Sequence, residues 1–295
     1  MSDHKNLFKK EKCPNCGNQY DLALGHCPKC GKGDIDAKVQ RSWANCTPMG
    51  SGGELSLFLF GWAGYSFIQI IVEEIVILVL RNYYSSQDMS NVAINGNITD
   101  FLNTGTGLSY IIFPSYILLF VGMLLIFGSH IYDVFGRFKK GVTYLGIPLG
   151  ILAIIINIVY SLIISPFTSG STNANQSNIN LIIAANPVLS IVILGFVGPF
   201  CEEATYRLGL FNLAKRWNVY AAYIISAIVF GLIHFDWTNA ASSIEWLNLP
   251  IYVIMGLLFA FTFDRFGFGA SFLAHATNNL ISVSSYLFVK AVIMK

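Results

Sequence analysis

The sequence has little charge. Of its 295 residues, 12% are charged and 54% are hydrophobic, whereas roughly 25% of an ordinary soluble protein is charged. The formal net charge of +2 is too small to favour a nucleic acid partner, and the basic residues are spread through separate loops instead of one stripe. We therefore expect a polytopic membrane protein that contacts lipid and binds no nucleic acid.

The start of the chain lacks a cleavable signal peptide. Its first residues, MSDHKNLFKKEK, are polar and charged, and no apolar h-region follows them. We expect the N-terminus to stay in the cytoplasm.

Cysteine is concentrated in a polar unit that we assign to residues 1–50 together with a linker. The strings CPNCG and HCPKCG each present two thiolates at Cys-x-x-Cys spacing, which is typical of a zinc ribbon. A disulfide pair is disfavoured in the cytoplasm, and a lone redox motif does not explain the doubled spacing. Four thiolates close a structural site, so His26 is expected on the surface. The predicted zinc ligands are Cys13, Cys16, Cys27 and Cys30, in a module that is structural or docks a protein partner.

Apolar runs dominate the rest of the chain. About seven of them approach the ~20 residues that a helix needs to cross a bilayer. After linker glycines at positions 50, 52 and 53, the predicted spans are 55–80, 108–127, 144–164, 187–216, 219–235, 246–266 and a run from 268 onward. The fold class is therefore an all-α membrane domain over residues 54–295, preceded by the zinc ribbon.

Charge in the loops predicts the orientation of these spans. Residues 128–140 contain Arg137, Lys139 and Lys140, and the turn after the fourth span contains Lys215 and Arg216. Positive charge marks the cytoplasmic side. The loop SPFTSGSTNANQSNIN has no charge and should lie outside.

Glu73 and Glu74 stand inside the first predicted span. We place them near its outer end with Arg81, among lipid headgroups. The alternative is a second buried acid site, which is disfavoured because no histidine follows them as a partner and polar residues near helix ends can snorkel.

The string CEEATYR interrupts the fourth apolar run with ionisable residues, which are function candidates at membrane depth. On a helix, Glu203 and Arg207 share a face, whereas Glu202 is turned about 100° away. We therefore expect Glu203 to be neutralised by Arg207 and Glu202 to be free.

Two histidines follow, in FGLIH and HATNN. Counted from the cytoplasmic turn at 217–218 at about 1.5 Å per residue, Glu203 and His234 both come out roughly 20 Å high. An acid and a histidine that meet can activate a water. His275 comes out only roughly 12 Å high, unless the FGFG turn before it is sunk into the membrane. His275 and Asn279 share a helical face and together could donate hydrogen bonds to an oxyanion.

EEATYR, FGLIH and HATNN resemble, in order, the EExxxR, FxxxH and HxxxN/B motifs of the CPBP family, the CAAX-protease and bacteriocin-processing (Abi) intramembrane proteases. The resemblance covers residues 187–290 and implies peptide-bond hydrolysis inside a bacterial cell membrane, on a peptide or membrane-protein substrate. The roles it implies are Glu202 as the base on water, His234 beside it, His275 and Asn279 on the oxyanion, and Glu203 with Arg207 as a supporting ion pair.

The resemblance leaves the active-site metal open. The family has been described both as metalloproteases and as metal-free glutamate enzymes. Two histidines and two glutamates could bind zinc, but an oxyanion hole needs no metal, and we favour the metal-free form.

Two other functions compete. The first is a catalytically silent scaffold or immunity protein that acts by binding a partner. The second is a proton or ion carrier, which we disfavour because the second and third predicted spans contain no charged residue. Residue spacing does not identify the substrate.

Overall fold

A computed structural model describes residues 10–12, 19–21, 49–131, 134, 141–169 and 171–292. The chain divides into two compact units, Met1–Thr47 and Pro48–Lys295.

The N-terminal unit contains a two-stranded antiparallel sheet. Strand β1 is Lys10–Lys12 and strand β2 is Gln19–Asp21, with Lys10 opposite Asp21. The first Cys-x-x-Cys pair falls in the connection between these strands. The predicted zinc ligands Cys13, Cys16, Cys27 and Cys30, together with His26, lie outside the described residues.

The second unit is helical throughout its described residues, as expected from its apolar runs. Short 3-10 turns occur at Gly128–His130, Gly141–Leu145 and Trp237–Asn239. The helices are α1 (Gly50–Ser85), α2 (Asn91–Leu102), α3 (Gly105–Phe127), α4 (Gly146–Thr168), α5 (Ala174–Ala185), α6 (Pro187–Lys215), α7 (Val219–Leu232), α8 (Ser243–Phe266) and α9 (Phe268–Val292).

Five helices in the described part of the chain are long and apolar enough to cross a membrane: α1, α3, α4 with the turn before it, α6 and α8. The prediction of about seven spans is therefore too high by this measure. Helix α7 has 14 residues and rises only about 21 Å, short of a hydrocarbon core of about 30 Å. Helix α9 has 25 residues, but histidine, asparagine, serine and threonine lower its hydropathy.

Three stretches predicted as linker or loop are helical. The glycines at positions 50, 52 and 53 form the first turn of α1. Helix α2 lies between the first two predicted spans, and helix α5 begins in the loop predicted to lie outside. Each of these helices starts at an N-cap side chain. Ser90 accepts from the Ala93 N–H at 3.3 Å, and Asn173 accepts from the Gln176 N–H at 3.2 Å.

Ion pairs tie the helices together at one end of the bundle. Arg216 donates to both carboxylate oxygens of Glu54, at 2.6 and 2.9 Å, and joins the end of α6 to the start of α1. Lys215 pairs with Asp264 at the end of α8, and the Tyr223 hydroxyl donates to the same carboxylate at 3.0 Å. We call this end of the bundle the basic end.

A layer of apolar side chains lies directly above the basic end. Its members come from α1, α3, α6 and α8, and each is 0% exposed. We call this layer the floor: Leu57, Met123, Phe127, Phe211 and Phe263.

The depth of Glu73 and Glu74 follows from the anchoring of Glu54 at the basic end. Glu73 is roughly 28 Å further along α1, close to the full thickness of a hydrocarbon core. Glu73 is half-buried and Glu74 is exposed, while Arg81 donates to Asn95 at 3.1 Å. This depth agrees with a headgroup position.

The close approach of α4 to α9 sets the position of the helix that carries His275. A Cβ added at Gly150 would lie 2.5 Å from the carbonyl oxygen of Ala274. We expect Gly150→Ala to destabilise the protein by about 1–3 kcal/mol through overpacking. At Gly96 in α2, the same Cβ would meet nothing within 4 Å, so Gly96→Ala should gain about 0.5–1 kcal/mol of helix stability.

Thermal unfolding of the two variants in detergent measures this difference. Equal midpoints for Gly150→Ala and Gly96→Ala would contradict the close packing of α4 on α9.

Candidate active site

Helix α6 departs from regular α-helical geometry on both sides of its glutamates. The α-helical turn Gly198–Glu203 is flanked by π-helical segments at Ile193–Val197 and Ala204–Phe211. Such π segments occur frequently at functional sites. Here they leave Glu202 and Glu203 at the end of the α-helical turn, inside the bundle.

Glu203 is fully buried, forms one ion pair and accepts two hydrogen bonds. Arg207 Nε lies 3.2 Å from Oε2, and Ser271 Oγ donates to the same oxygen. His275 Nδ1–H donates to Oε1 at 3.0 Å. A carboxylate without these partners would carry a large desolvation penalty at this depth.

Arg207 is also fully buried. Its Nη2 donates to the Gly256 carbonyl oxygen on α8 at 3.3 Å. Its guanidinium carbon lies 4.5 Å from the ring centroid of Phe230 and 5.7 Å from that of Phe259. Cation–π attraction from the two rings adds to the ion pair with Glu203.

Glu202 has a different environment. The Tyr116 hydroxyl on α3 donates to its Oε1 at 3.0 Å. Its Oε2 has no hydrogen-bond partner in the described part of the chain and lies 3.7 Å from His275 Nε2. One oxygen of Glu202 is thus held in place, and the other remains available for a water or a substrate.

His234 lies two residues beyond the end of α7. Its Nδ1–H donates to the Phe230 carbonyl oxygen at 2.8 Å, which leaves Nε2 as the acceptor of the neutral ring. The ring stacks on Tyr252 with centroids 4.6 Å apart and planes at 13°. The Tyr252 hydroxyl accepts from Asn173 at 3.3 Å and from Asn175 at 3.2 Å.

The sequence left two alternatives for the height of His275, a low position or a sunken turn before it. The first residue of α9, Phe268, is buried, and its ring centroid lies 5.4 Å from that of Phe200. Helix α9 therefore begins inside the bundle, which agrees with the sunken-turn alternative. A height count that starts from a turn at the membrane surface places the residues of α9 too low. Among the described residues, His275 contacts both Glu202 and Glu203.

Asn279 lies one turn beyond His275. It donates one amide hydrogen to the Leu194 carbonyl oxygen at 3.0 Å, and its Oδ1 accepts from Asn278 at 3.0 Å. Leu194 belongs to the first π-helical segment of α6. Since a carboxamide has two N–H groups, the second one remains for a ligand.

A cavity of about 1190 Å³ brings these side chains together. Neither Glu203 nor Arg207 lines it, so the buried pair supports the wall instead of facing the cavity. The polar groups that line it near Glu202 are Tyr116, His234, Tyr252, His275, Asn278 and Asn279.

Four residues of this site were not predicted from the sequence. Asn278 is the fourth residue of the HATNN string and Ser271 stands four residues before it, so the polar character of that stretch could have indicated them. Tyr116 and Tyr252 gave no signal, because each stands inside an apolar span and its partner lies in a distant part of the sequence.

Among the described residues, no group of three or more His, Cys, Asp or Glu side chains is arranged to hold a metal ion. Both oxygens of Glu203 are already bound to Arg207, Ser271 and His275. Glu203 is therefore not available as a metal ligand in this arrangement.

Residues 184–281, which include all six predicted active-site residues, match the family model of Rce1-like type II CAAX prenyl endopeptidases. The chain is 36% identical over 98 residues to an "Uncharacterized protein" of Mycoplasma capricolum subsp. capricolum, covering 32% of this chain and 27% of the relative. It is 32% identical over 100 residues to the "Putative membrane peptidase YdiL" of Bacillus subtilis (strain 168), covering 34% of this chain and 37% of the relative. No solved structure matches the chain. Together with its five apolar helices, these similarities identify an integral membrane protein.

Removal of the Arg207 charge tests the buried pair. We expect Arg207→Met to destabilise the protein by about 3–5 kcal/mol, because Glu203 is left charged and without its cation. The double variant Glu203→Gln with Arg207→Met should recover much of this loss, since neither charge then remains.

The midpoint of thermal unfolding in detergent measures the recovery. A double variant as unstable as Arg207→Met alone would show that Arg207 acts through its packing and not through its charge.

Proposed function

We propose that this protein is an intramembrane endopeptidase that hydrolyses a peptide bond of a membrane-associated peptide or protein. The observation that carries the proposal is the position of Glu202. Tyr116 holds one of its carboxylate oxygens, while the other lies without a hydrogen-bond partner from the described residues beside His275. A carboxylate so placed in a cavity is suited to remove a proton from water.

The first step forms a tetrahedral intermediate. A water between Glu202 and His234 loses a proton to Glu202, and its oxygen bonds to the carbonyl carbon of the substrate. The carbonyl π electrons move to oxygen, where His275 Nε2–H and the second N–H of Asn279 donate to the oxyanion. In the second step the oxyanion re-forms the carbonyl, the C–N bond breaks, and Glu202 returns its proton to the leaving amine.

The hydrogen bonds of His275 define what this role requires. Its Nδ1–H already donates to Glu203, so an Nε2–H donor to the oxyanion requires the ring to carry a hydrogen on both nitrogens. Nε2 lies 3.7 Å from Glu202, on the side of the ring that faces the cavity.

Substitution of the base tests the proposed function. We expect Glu202→Gln to lower cleavage by about 10²–10⁴-fold, the usual contribution of a general base, without loss of folded protein. Glu74→Gln makes the same chemical change at an exposed position of α1 and should leave cleavage unchanged.

The measurement compares the peptides released by cells that produce each variant, by mass spectrometry at equal protein level. Unchanged peptides in the Glu202→Gln strain would exclude the peptidase and favour the scaffold or immunity function.

We also propose that the N-terminal unit binds one structural zinc ion through Cys13, Cys16, Cys27 and Cys30. The doubled Cys-x-x-Cys spacing supports the metal, as do the paired strands β1 and β2 on either side of the first motif.

The full-length purified protein should contain about one zinc per chain. Cys13→Ser with Cys30→Ser should lose the metal, and Cys46→Ser, outside the motifs, should retain it. Elemental analysis of the purified proteins measures the zinc content of each variant. A zinc content that is unchanged in the double variant would refute the assignment.

A further inference from the structure

The cavity around Glu202 is closed at the basic end. The floor separates Glu202 from the ion pairs Arg216–Glu54 and Lys215–Asp264, and its five side chains are 0% exposed. Close-packed side chains leave no voids wide enough for a polypeptide. A substrate cannot reach Glu202 from the basic end without unpacking this layer.

The cavity extends away from the basic end. Asn157 and Ser161 line it on the upper part of α4, and Asn173, Asn175 and Asn178 line it at the start of α5. Trp237, in the turn after His234, also borders it and is 62% exposed. We call the region around Asn175 and Asn178 the mouth.

The chemistry of the lining suits a polypeptide main chain. Among the described lining residues there is no lysine, arginine or aspartate, and Glu202 is the single glutamate. The upper part is instead rich in carboxamides, which both donate and accept hydrogen bonds as peptide groups do. Charged side chains entering this region would lose hydration without finding an opposite charge.

The distribution of positive charge orients the bundle. Lys215, Arg216 and Arg265 lie at the basic end in the structure, and the segment 132–140, which follows the lower end of α3, adds further basic residues in the sequence. The mouth region is rich in asparagine. Two cations lie toward that side of the bundle, Arg81, which donates to Asn95 at 3.1 Å, and Lys290, which donates to the Ala184 carbonyl oxygen at 3.4 Å, so the basic end has the larger number. Under the positive-inside rule, the basic end is cytoplasmic and the mouth faces the other side of the membrane.

From these observations we propose that the active site receives its substrate from the extracytoplasmic face, as an uncharged stretch of polypeptide already outside the cytoplasm. This inference rests on the proposed function, because only a peptidase would treat the bound polypeptide as a substrate. The direction of access can be tested without any cleavage reaction, so failure of one proposal is distinguishable from failure of the other.

Three single-cysteine additions report the direction of access. Asn157→Cys lies inside the cavity, Asn178→Cys lies at the mouth, and Trp217→Cys lies at the basic end, where Trp217 is 89% exposed. None of the three is placed in the catalytic machinery. Intact cells and inverted membrane vesicles are treated with a small, uncharged, membrane-impermeant thiosulfonate that carries a sugar, and the thiols left unmodified are then counted with a maleimide mass tag.

We expect Asn157→Cys and Asn178→Cys to be modified in intact cells well above the background of the unsubstituted chain, and Trp217→Cys only in inverted vesicles. Modification of Asn157→Cys from the face that exposes Trp217→Cys overturns the proposal. Modification of Asn157→Cys from neither face also overturns it, because the mouth then does not lead to the site. Labelling of Trp217→Cys in intact cells would also overturn the proposal, because the basic end would then face outward.

Discussion

The packing of the helices around the site depends on the fully buried carboxylate of Glu203. Its oxygens must be satisfied inside the protein, because an unpaired charge at this depth costs several kcal/mol. Arg207 comes from the same helix, while Ser271 and His275 come from α9. Arg207 in turn reaches the backbone of α8 at Gly256. One carboxylate therefore sets the mutual position of three helices, and with them the distance between His275 and Glu202.

Aromatic rings give this charged cluster its low-polarity surroundings. Phe259 stacks on His275 with ring centroids 4.5 Å apart, and Phe230 lies edge-on to the same ring at 5.8 Å. Tyr252 stacks on His234. Rings fix the planes of both histidines, so hydrogen bonds need only set their rotation within those planes. In surroundings of low polarity, the attraction between the cluster's opposite charges is stronger than in water.

The sequence was most informative where chemistry and helical spacing coincided. Four-residue spacing predicted that Glu203 and Arg207 meet and that Glu202 faces elsewhere, and low charge predicted a helical membrane unit. Spacing within a helix says nothing about where that helix begins in the bilayer. The depth of His275 was left open by the sequence, because only the contact between Phe268 and Phe200 shows where α9 begins. Tyr116 was missed because its role depends on a contact between α3 and α6, 86 positions apart in the chain.

The π-helical segments of α6 bear on how this chain can change during evolution. Each π segment is equivalent to one extra residue inserted in an α-helix. Deleting a single residue between Ala204 and Phe211 would restore a regular helix. The side chains on one side of the deletion would then rotate about the helix axis by about 100° relative to those on the other side. Any such deletion would change the orientation of Glu202 relative to the helix beyond it, and a deletion before Arg207 would also change the Glu203–Arg207 spacing. The length of this segment is therefore more constrained than the identity of many residues within it, and insertions or deletions here should be far rarer among functional descendants than substitutions.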